Sequence, residues 1–258
     1  MTNPVLYPIG VGAEARRVAV LAEHRAPPGI FWLAGFKSDM RGTKAEALAD
    51  WAEKAGRDCV RFDYSGHGKS EGVFEDGTIS RWLEESVAVF KQFCQGPQIV
   101  VGSSMGGWLA LLLARALQGE AGREAAASIK ALVLIAPAPD FTQKLLWERF
   151  PDKIKREVQT KGRFERTSDY ADEPFVYTLG LIEDGRKHLL LDKMIEPNCP
   201  VRILQGAKDD DVPWSHAMAL VSRIARDDVV FTLVKDGDHR LSRPEDIERL
   251  IEAVAEFV

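Results

Sequence analysis

No apolar run in the 258 residues reaches the length of a membrane-spanning helix, so no stable membrane insertion is expected. Basic charge is also in short supply. The 34 Lys and Arg stand against 39 Asp and Glu, a formal net charge of −5, which leaves no positive field to hold a phosphate backbone, and nucleic-acid binding is disfavoured. Cysteine is scarce: Cys59, Cys94 and Cys199 are odd in number, widely spaced and form no CxxC pair, which points to a reducing compartment without structural zinc. His24, His188 and His216 have no ligand spacing, so no bound metal is expected. The opening residues, Met1 to Gly10, lack the basic region and long apolar stretch of a secretory signal. The expected setting is therefore a cytoplasm, or an organelle interior if a targeting segment has been removed. There is no internal repeat or low-complexity tract, and nothing in the pattern specifies an oligomeric state.

What the chain does have, at 45% apolar, is enough hydrophobic material for one substantial core. Short apolar runs recur at Arg17 to Leu21, Ile30 to Leu33, Asp58 to Phe62, Gln98 to Val101, Ala131 to Ile135, Val201 to Leu204 and Val229 to Val234. They are continuous rather than alternating, as strands buried on both faces are. Amphipathic helical patterns lie between them at about 42 to 55, 79 to 94, 105 to 118, 214 to 225 and 244 to 257. This alternation predicts an α/β fold, a mostly parallel central sheet with helices on both faces, within one domain spanning 1–258. The stretch from about 140 to 196 breaks the rhythm. It is rich in charge, shows no convincing strand, carries Trp147, Phe150, Phe164, Tyr170, Phe175 and Tyr177, and reads as a short helical insertion. An insertion leaving the carboxyl end of a parallel strand would roof a ligand site, with its aromatics either lining an acyl pocket or packing the lid down.

The chemistry is concentrated in Gly102-Ser103-Ser104-Met105-Gly106, set between the run Gln98 to Val101 and the next helical pattern. Gly-x-Ser-x-Gly between a strand and a helix reverses the chain so sharply that the central serine is lifted out at strained backbone angles. The Met105 amide then points outward at the positive end of the helix dipole, where a developing oxyanion is stabilised. The plain alternative is an ordinary turn with Ser104 as helix N-cap. A serine needs a histidine to take its proton and an acid to orient that histidine. After the strand at Val201 to Leu204, a loop offers Asp209, Asp210 and Asp211; after the strand ending at Val234, a loop offers His239. The order Ser, Asp, His suits a nucleophile elbow on an α/β sheet.

From about Ile30 to the C-terminus the chain resembles the α/β-hydrolase superfamily. The resemblance is carried by the Gly-x-Ser-x-Gly-Gly elbow, the turn Asp63-Tyr64-Ser65-Gly66-His67-Gly68-Lys69-Ser70, the loop Gly206-x-x-Asp209-x-x-Val212-Pro213, and Gly237-Asp238-His239. It implies the α/β-hydrolase fold with a short helical lid. It also implies Asp209 as the acid, His239 as the base and Ser104 as the nucleophile, leaving Asp210 and Asp211 to cap the helix near Pro213. The family's second oxyanion donor comes from the loop after the third strand. Here that loop reads Leu33-Ala34-Gly35-Phe36-Lys37, with alanine where many members have histidine, which implies the backbone amides of Phe36 and Met105 as the oxyanion hole. Within the superfamily the chain is similar to a group of S-depalmitoylases and acyl-glucuronide esterases, through Gly35-Phe36, Met40-x-Gly42-Thr43-Lys44-Ala45 and Gly96 to Ser104. It departs from that group mainly in the lid.

The implied activity is a serine hydrolase acting on a carboxylic ester or acylated thiol, a small-molecule substrate, without cofactor. Two rivals keep the fold. One is a C–C bond hydrolase of ring-cleavage products, whose enolate would need a cation such as Arg163 or Arg166. The other is a non-catalytic binding protein on the same scaffold. Gly68-Lys69-Ser70 imitates a phosphate-binding loop, but the pattern would require glycine where Asp63 stands. His67 reads as structural or solvent-exposed. Lys37, Asp39 and Arg41 read as a charged surface entry to a helix, with a polar leaving group as the alternative partner.

Overall fold

The computed structural model describes residues 3–118, 127–168 and 171–258. In chain order the elements are β1 (Val5–Ile9), β2 (Arg16–Glu23), β3 (Gly29–Leu33), α1 (Thr43–Ala55), β4 (Cys59–Phe62), α2 (Ile79–Phe93), β5 (Gly96–Ser103), α3 (Met105–Gln118) and β6 (Ala127–Ile135). They continue with α4 (Asp152–Lys161), β7 (Arg163–Ser168), β8 (Ala171–Thr178), α5 (Leu179–Gly185), β9 (Val201–Gly206), α6 (Trp214–Val221), β10 (Val229–Val234) and α7 (Pro244–Ala255). Eight strands form one sheet in the order β1-β2-β4-β3-β5-β6-β9-β10. Only β2 runs against its neighbours; the rest of the sheet is parallel. This is the α/β-hydrolase fold that the sequence resemblance implied.

The period-two geometry of the strands explains why their apolar runs are unbroken. On β3, Phe31 and Leu33 enter one core with Trp82, Phe90, Leu109 and Leu112 of α2 and α3, while Ile30 and Trp32 enter the other with Leu48 and Ala52 of α1 and Leu250 and Val254 of α7. On β5, Val100 takes the first side and Ile99 and Val101 the second. Each central strand therefore buries both faces. α3 is apolar all round, with Met105 to Ala114 buried, because it lies under both the sheet and the neighbouring α2.

Strand order reverses at β3. The chain leaves β3 through α1 toward β4 on one side, and leaves β5 through α3 toward β6 on the other. The carboxyl ends of β3 and β5 thus flank the crevice where parallel α/β sheets bind ligands. Between β6 and β9 the chain rises over this edge. It forms a π-helical turn at Thr142–Trp147, then α4, the β7–β8 hairpin and α5. The hairpin departs from the expected all-helical insertion. Its alternation is hidden in the sequence because charged residues occupy its outer face, and β7 is only 6 residues long. Register pairs Phe164 with Tyr177 and Arg166 with Phe175, so these four share one face.

Candidate active site

Ser104 stands at the junction of β5 and α3 with φ of 54°, inside the left-handed region that L-residues adopt only under constraint. The flanking glycines make that constraint possible. A Cβ on Gly106 would lie 2.0 Å from the Leu33 carbonyl oxygen, and one on Gly102 would lie 2.3 Å from the Gly106 oxygen. The turn is closed by Ser104 N–H donating to the Ile135 carbonyl at 2.8 Å and by Gly107 N–H donating to the Ser104 carbonyl at 2.9 Å. The sequence signature and the steric need coincide here.

His239 and Asp209 arrive from loops after β10 and β9. The Ser104 hydroxyl lies 3.1 Å from His239 Nε2, and His239 Nδ1–H donates to Asp209 Oδ2 at 2.8 Å. The opposite oxygen of Asp209 accepts from the amides of Asp211 and Val212 at 3.0 and 2.8 Å. Gln205, fully buried on β9, donates from Nε2 to Asp209 Oδ2 at 3.0 Å and also to the carbonyls of Gly206 and Val212. The carboxylate therefore has both oxygens held, and its remaining direction is toward the imidazole. Gln205 gives no signal in the sequence, where it reads as the first residue of the loop after a strand; its burial on β9 reveals the contact.

Asp210 and Asp211 do not cap α6. That helix starts after Pro213 with no side-chain cap, and Asp211 instead pairs with Arg166 of β7 at 3.0 Å. The reason is steric order: Asp209 turns the chain inward and leaves the next residues on the outside, facing the hairpin. Arg163, the other arginine considered as a cation for an enolate, pairs with Glu165 at 3.3 Å on the exposed side.

The loop after β3 lies against the elbow. A Cβ on Gly35 would sit 3.3 Å from the Ser103 carbonyl oxygen and 3.4 Å from Ser104 Cβ, so the absence of a side chain lets the Phe36 backbone close on Ser104. The Phe36 ring stacks on Tyr177 with centroids 5.3 Å apart and meets Phe141 and Phe175 near 6 Å. These rings belong to a cavity of ≈ 540 Å³ that reaches Ser104 and His239. Its apolar part is walled by Phe141, Leu145, Phe150, Ile154, Phe164 and Tyr177 of the insertion. Its polar end is formed by Lys37, Ser38, Asp39, Lys44, Arg240 and Ser242.

Among the aromatics of the insertion, Phe150, Phe164, Phe175 and Tyr177 line this space. Trp147 does not; it packs its face under Arg186 and Lys155. Tyr170 falls outside the described residues. Lys37 reaches up to donate to the Pro174 carbonyl at 3.0 Å, and Arg41 pairs with Glu46 at 3.6 Å. Lys44 enters the sequence reading only as part of the resemblance. It donates from Nζ to the Arg240 carbonyl and to Ser242 Oγ, tying the first turn of α1 to the loop just past His239. Burial of its ammonium pushes Lys44 down to about 8.

His67 is buried rather than solvent-exposed, and the protein interior pushes its imidazole down to about 4, so it is neutral under ordinary conditions. Burial likewise lowers His216, whose Nε2–H donates to the Pro139 carbonyl at 2.8 Å, and His188, which lies 2.6 Å from Ser80 Oγ.

Residues 26–253 match the model of the alpha/beta hydrolase family. The human palmitoyl-protein thioesterase ABHD10, mitochondrial, is 37% identical over 233 residues, covering 90% of this chain and 73% of its own. A crystallised protein of Agrobacterium vitis S4 superposes with a TM-score of 0.95 at 47% identity, covering 99% of this chain and 98% of its own. The mouse alpha/beta hydrolase domain-containing protein 10 gives 0.85 at 33% identity, with 98% and 97% covered. The ABHD10 relatives from human, orangutan and cattle are named as mitochondrial proteins, which overturns the cytoplasmic setting expected from composition. Charge and cysteine usage report a reducing aqueous interior and carry no address, so they could not separate the two.

Proposed function

The chain belongs to the alpha/beta hydrolase family and is a hydrolase, and from that premise we propose that Ser104, His239 and Asp209 form its catalytic triad for cleaving acyl esters and thioesters. The observation that carries the reading is the continuous path of hydrogen bonds, Ser104 Oγ to His239 Nε2 at 3.1 Å and His239 Nδ1 to Asp209 at 2.8 Å, opening onto a cavity walled by apolar side chains of the insertion.

In this mechanism Ser104 Oγ adds to the acyl carbon while its proton passes to His239 Nε2. The carbonyl electron pair becomes an oxyanion held by the Phe36 and Met105 amides, and the tetrahedral adduct collapses as His239 protonates the departing alcohol or thiol. Water then adds to the acyl-enzyme with His239 as base, and the acid is released with Ser104 restored. Asp209 holds the imidazole with its proton on Nδ1, so that Nε2 presents a lone pair to the serine. The segment from about 140 to 196 acts as a lid on one hydrolase domain, and its apolar wall receives the acyl chain. The relatives named palmitoyl-protein thioesterases support a long S-acyl substrate. The pairing of Arg166 with Asp211 weighs against Arg166 as the cation for a C–C hydrolase's enolate, because its charge is already compensated.

The test is hydrolysis of p-nitrophenyl esters and acyl-CoA or S-acyl peptide substrates from acetyl to palmitoyl, beside Ser104→Ala. If the lid wall binds the chain, kcat/KM rises about fourfold per added methylene until the cavity is full, since each buried CH2 contributes ~0.8 kcal/mol. Activity that stays flat with chain length, or that survives in Ser104→Ala, refutes the reading.

A further inference from the structure

The loop that presents the Phe36 amide is held in an unfavourable shape. Ser38 N–H donates to the Gly35 carbonyl at 3.1 Å, closing a four-residue turn over Gly35, Phe36, Lys37 and Ser38. Lys37, the third residue of the turn, has φ of 58°, whereas Phe36 keeps φ negative. That combination is the signature of a type II turn, which normally places glycine or asparagine at the third position. A lysine with its Cβ there costs free energy, and nothing in the local sequence favours it over a type I turn. Something outside the loop must select it.

The Lys37 side chain reaches Pro174, but its backbone N–H is met by His67. Its Nδ1 faces the Ser65 carbonyl at 3.2 Å, an atom that only accepts, so the ring proton sits on Nδ1. Nε2 is therefore a lone pair, and it accepts the Lys37 N–H at 3.1 Å. The ring cannot swing away. It lies edge-on to Tyr64, Phe74 and Trp82 with centroids 5.0 to 5.5 Å apart. Ser65 is itself fixed, since its amide donates to the buried Glu85 at 2.9 Å and its carbonyl also accepts from Trp82 Nε1 at 3.2 Å. The other end of the loop has separate anchors. Met40 N–H donates to Asp63 Oδ1 at 2.7 Å, and Arg61 donates to the Met40 carbonyl at 3.1 Å. His67 thus governs the Phe36–Lys37 peptide, whose N–H is the one that points inward in a type II turn.

We infer that His67 is a positioning residue for the oxyanion loop: its Nε2 lone pair holds the Lys37 N–H, and with it the turn that follows Gly35, and so anchors the segment whose Phe36 amide faces the acyl oxygen. This rests on the assignment of Phe36 as an oxyanion donor under the proposed hydrolysis. With a side chain that accepts no hydrogen bond at position 67, Lys37 relaxes to negative φ, its peptide rotates toward the type I arrangement, and the segment bearing the Phe36 amide loses its anchor to the protein interior. His67 does not line the lid cavity, and the apolar wall from Phe141 to Phe164 stands on the insertion, so ground-state binding there changes far less than contacts to the oxyanion.

The experiment compares His67→Leu, which removes the acceptor, His67→Gln, whose Oε1 supplies one, and the double variant His67→Leu with Lys37→Gly, in which glycine favours the positive φ without help. Each is measured for kcat and KM on a p-nitrophenyl ester, and for inhibition by an alkyl trifluoromethyl ketone and by the product carboxylic acid. The ketone forms a bond from Ser104 Oγ to its carbonyl carbon, the carbonyl pair becomes an oxyanion and the serine proton moves to His239, so its affinity reports the oxyanion donors. Since loss of one donor costs about 10²- to 10³-fold, a misaimed one in His67→Leu is expected to lower kcat and ketone affinity together by about 10- to 100-fold. Inhibition by the carboxylic acid stays within about threefold, as expected where only transition-state contacts are lost. His67→Gln and the double variant recover most of the loss. Ketone affinity unchanged in His67→Leu, equal loss for ketone and acid, or no recovery with Lys37→Gly overturns the inference. If His67→Leu does not fold, His67→Phe replaces it, and a fold lost in both variants also overturns it. A wild-type protein that hydrolyses no ester and binds no ketone refutes the proposed hydrolysis itself, an outcome distinct from all of these.

Discussion

Replacing Asp209 with asparagine changes one atom and leaves every neighbour in place, and the surrounding hydrogen bonds dictate how the site responds. Oδ1 receives the amides of Asp211 and Val212, so an NH2 group placed there would face two donors. The amide nitrogen must therefore take the Oδ2 position, where it meets Gln205 Nε2 and His239 Nδ1. Gln205 cannot turn its oxygen inward without abandoning the carbonyls of Gly206 and Val212. His239 is left to accept at Nδ1, which moves its proton to Nε2 and points a donor at Ser104. A serine facing an N–H has no base. An acid-to-amide change that fixes the wrong tautomer costs about 10⁴-fold in kcat, or ~5 kcal/mol of barrier. The clash with Gln205 adds about 1–3 kcal/mol of destabilisation, since a buried donor loses its acceptor. The assay is single-turnover acylation by a p-nitrophenyl ester well below the melting point, with thermal denaturation measured alongside. Asp210→Asn and Asp211→Asn are the controls, expected to stay within about threefold because the carboxylate on His239 is that of Asp209, and the partly exposed Arg166–Asp211 pair at the cavity rim contributes little. A loss of less than tenfold in Asp209→Asn, or a larger loss in either control, would refute the reasoning.

Two further outcomes are expected. Arg166→Ala breaks an ion pair whose arginine side chain is 53% exposed, so thermal stability changes by less than about 1 kcal/mol and ester kcat/KM by less than about threefold; a collapse of turnover would restore the C–C hydrolase reading. The depressed His67 imidazole makes stability depend on pH: between about 4 and 6.5 the unfolded chain binds a proton that the folded one refuses, so stability rises with pH through that window and is lost as pH falls through it. Urea denaturation of wild type and His67→Gln across that range checks this, with a shallower slope expected in the variant; parallel curves would contradict the assignment of a buried neutral ring.

The central sheet was legible because burial on both faces leaves a local trace, the continuous apolar stretches within β3, β5 and β6. β1 left no such trace: it is an exposed edge strand containing a proline, and its apolar residues Val5 and Leu6 remain in solvent. The β7–β8 hairpin was missed because its aromatic face is apolar only in alternation with charge, and the partner of each residue lies across the turn. The elbow was readable from Gly102 to Gly106 because steric exclusion acts within a few residues. The choice among Asp209, Asp210 and Asp211 came from the family resemblance, since three adjacent carboxylates look alike until β9 and Gln205 fix which one points inward.

By itself the sequence determined the alternating elements, the sharp turn at Ser104 and the supply of one histidine and three candidate acids after the right strands, all consequences of short-range sterics and of the period of apolar residues. Tertiary structure alone decided which carboxylate meets His239, which lid aromatics wall the cavity and which face Arg186, and that His67 is a buried acceptor for the loop bearing Phe36. Those contacts join residues far apart in the chain, and hydrogen-bond direction and burial are set only when packing brings them together.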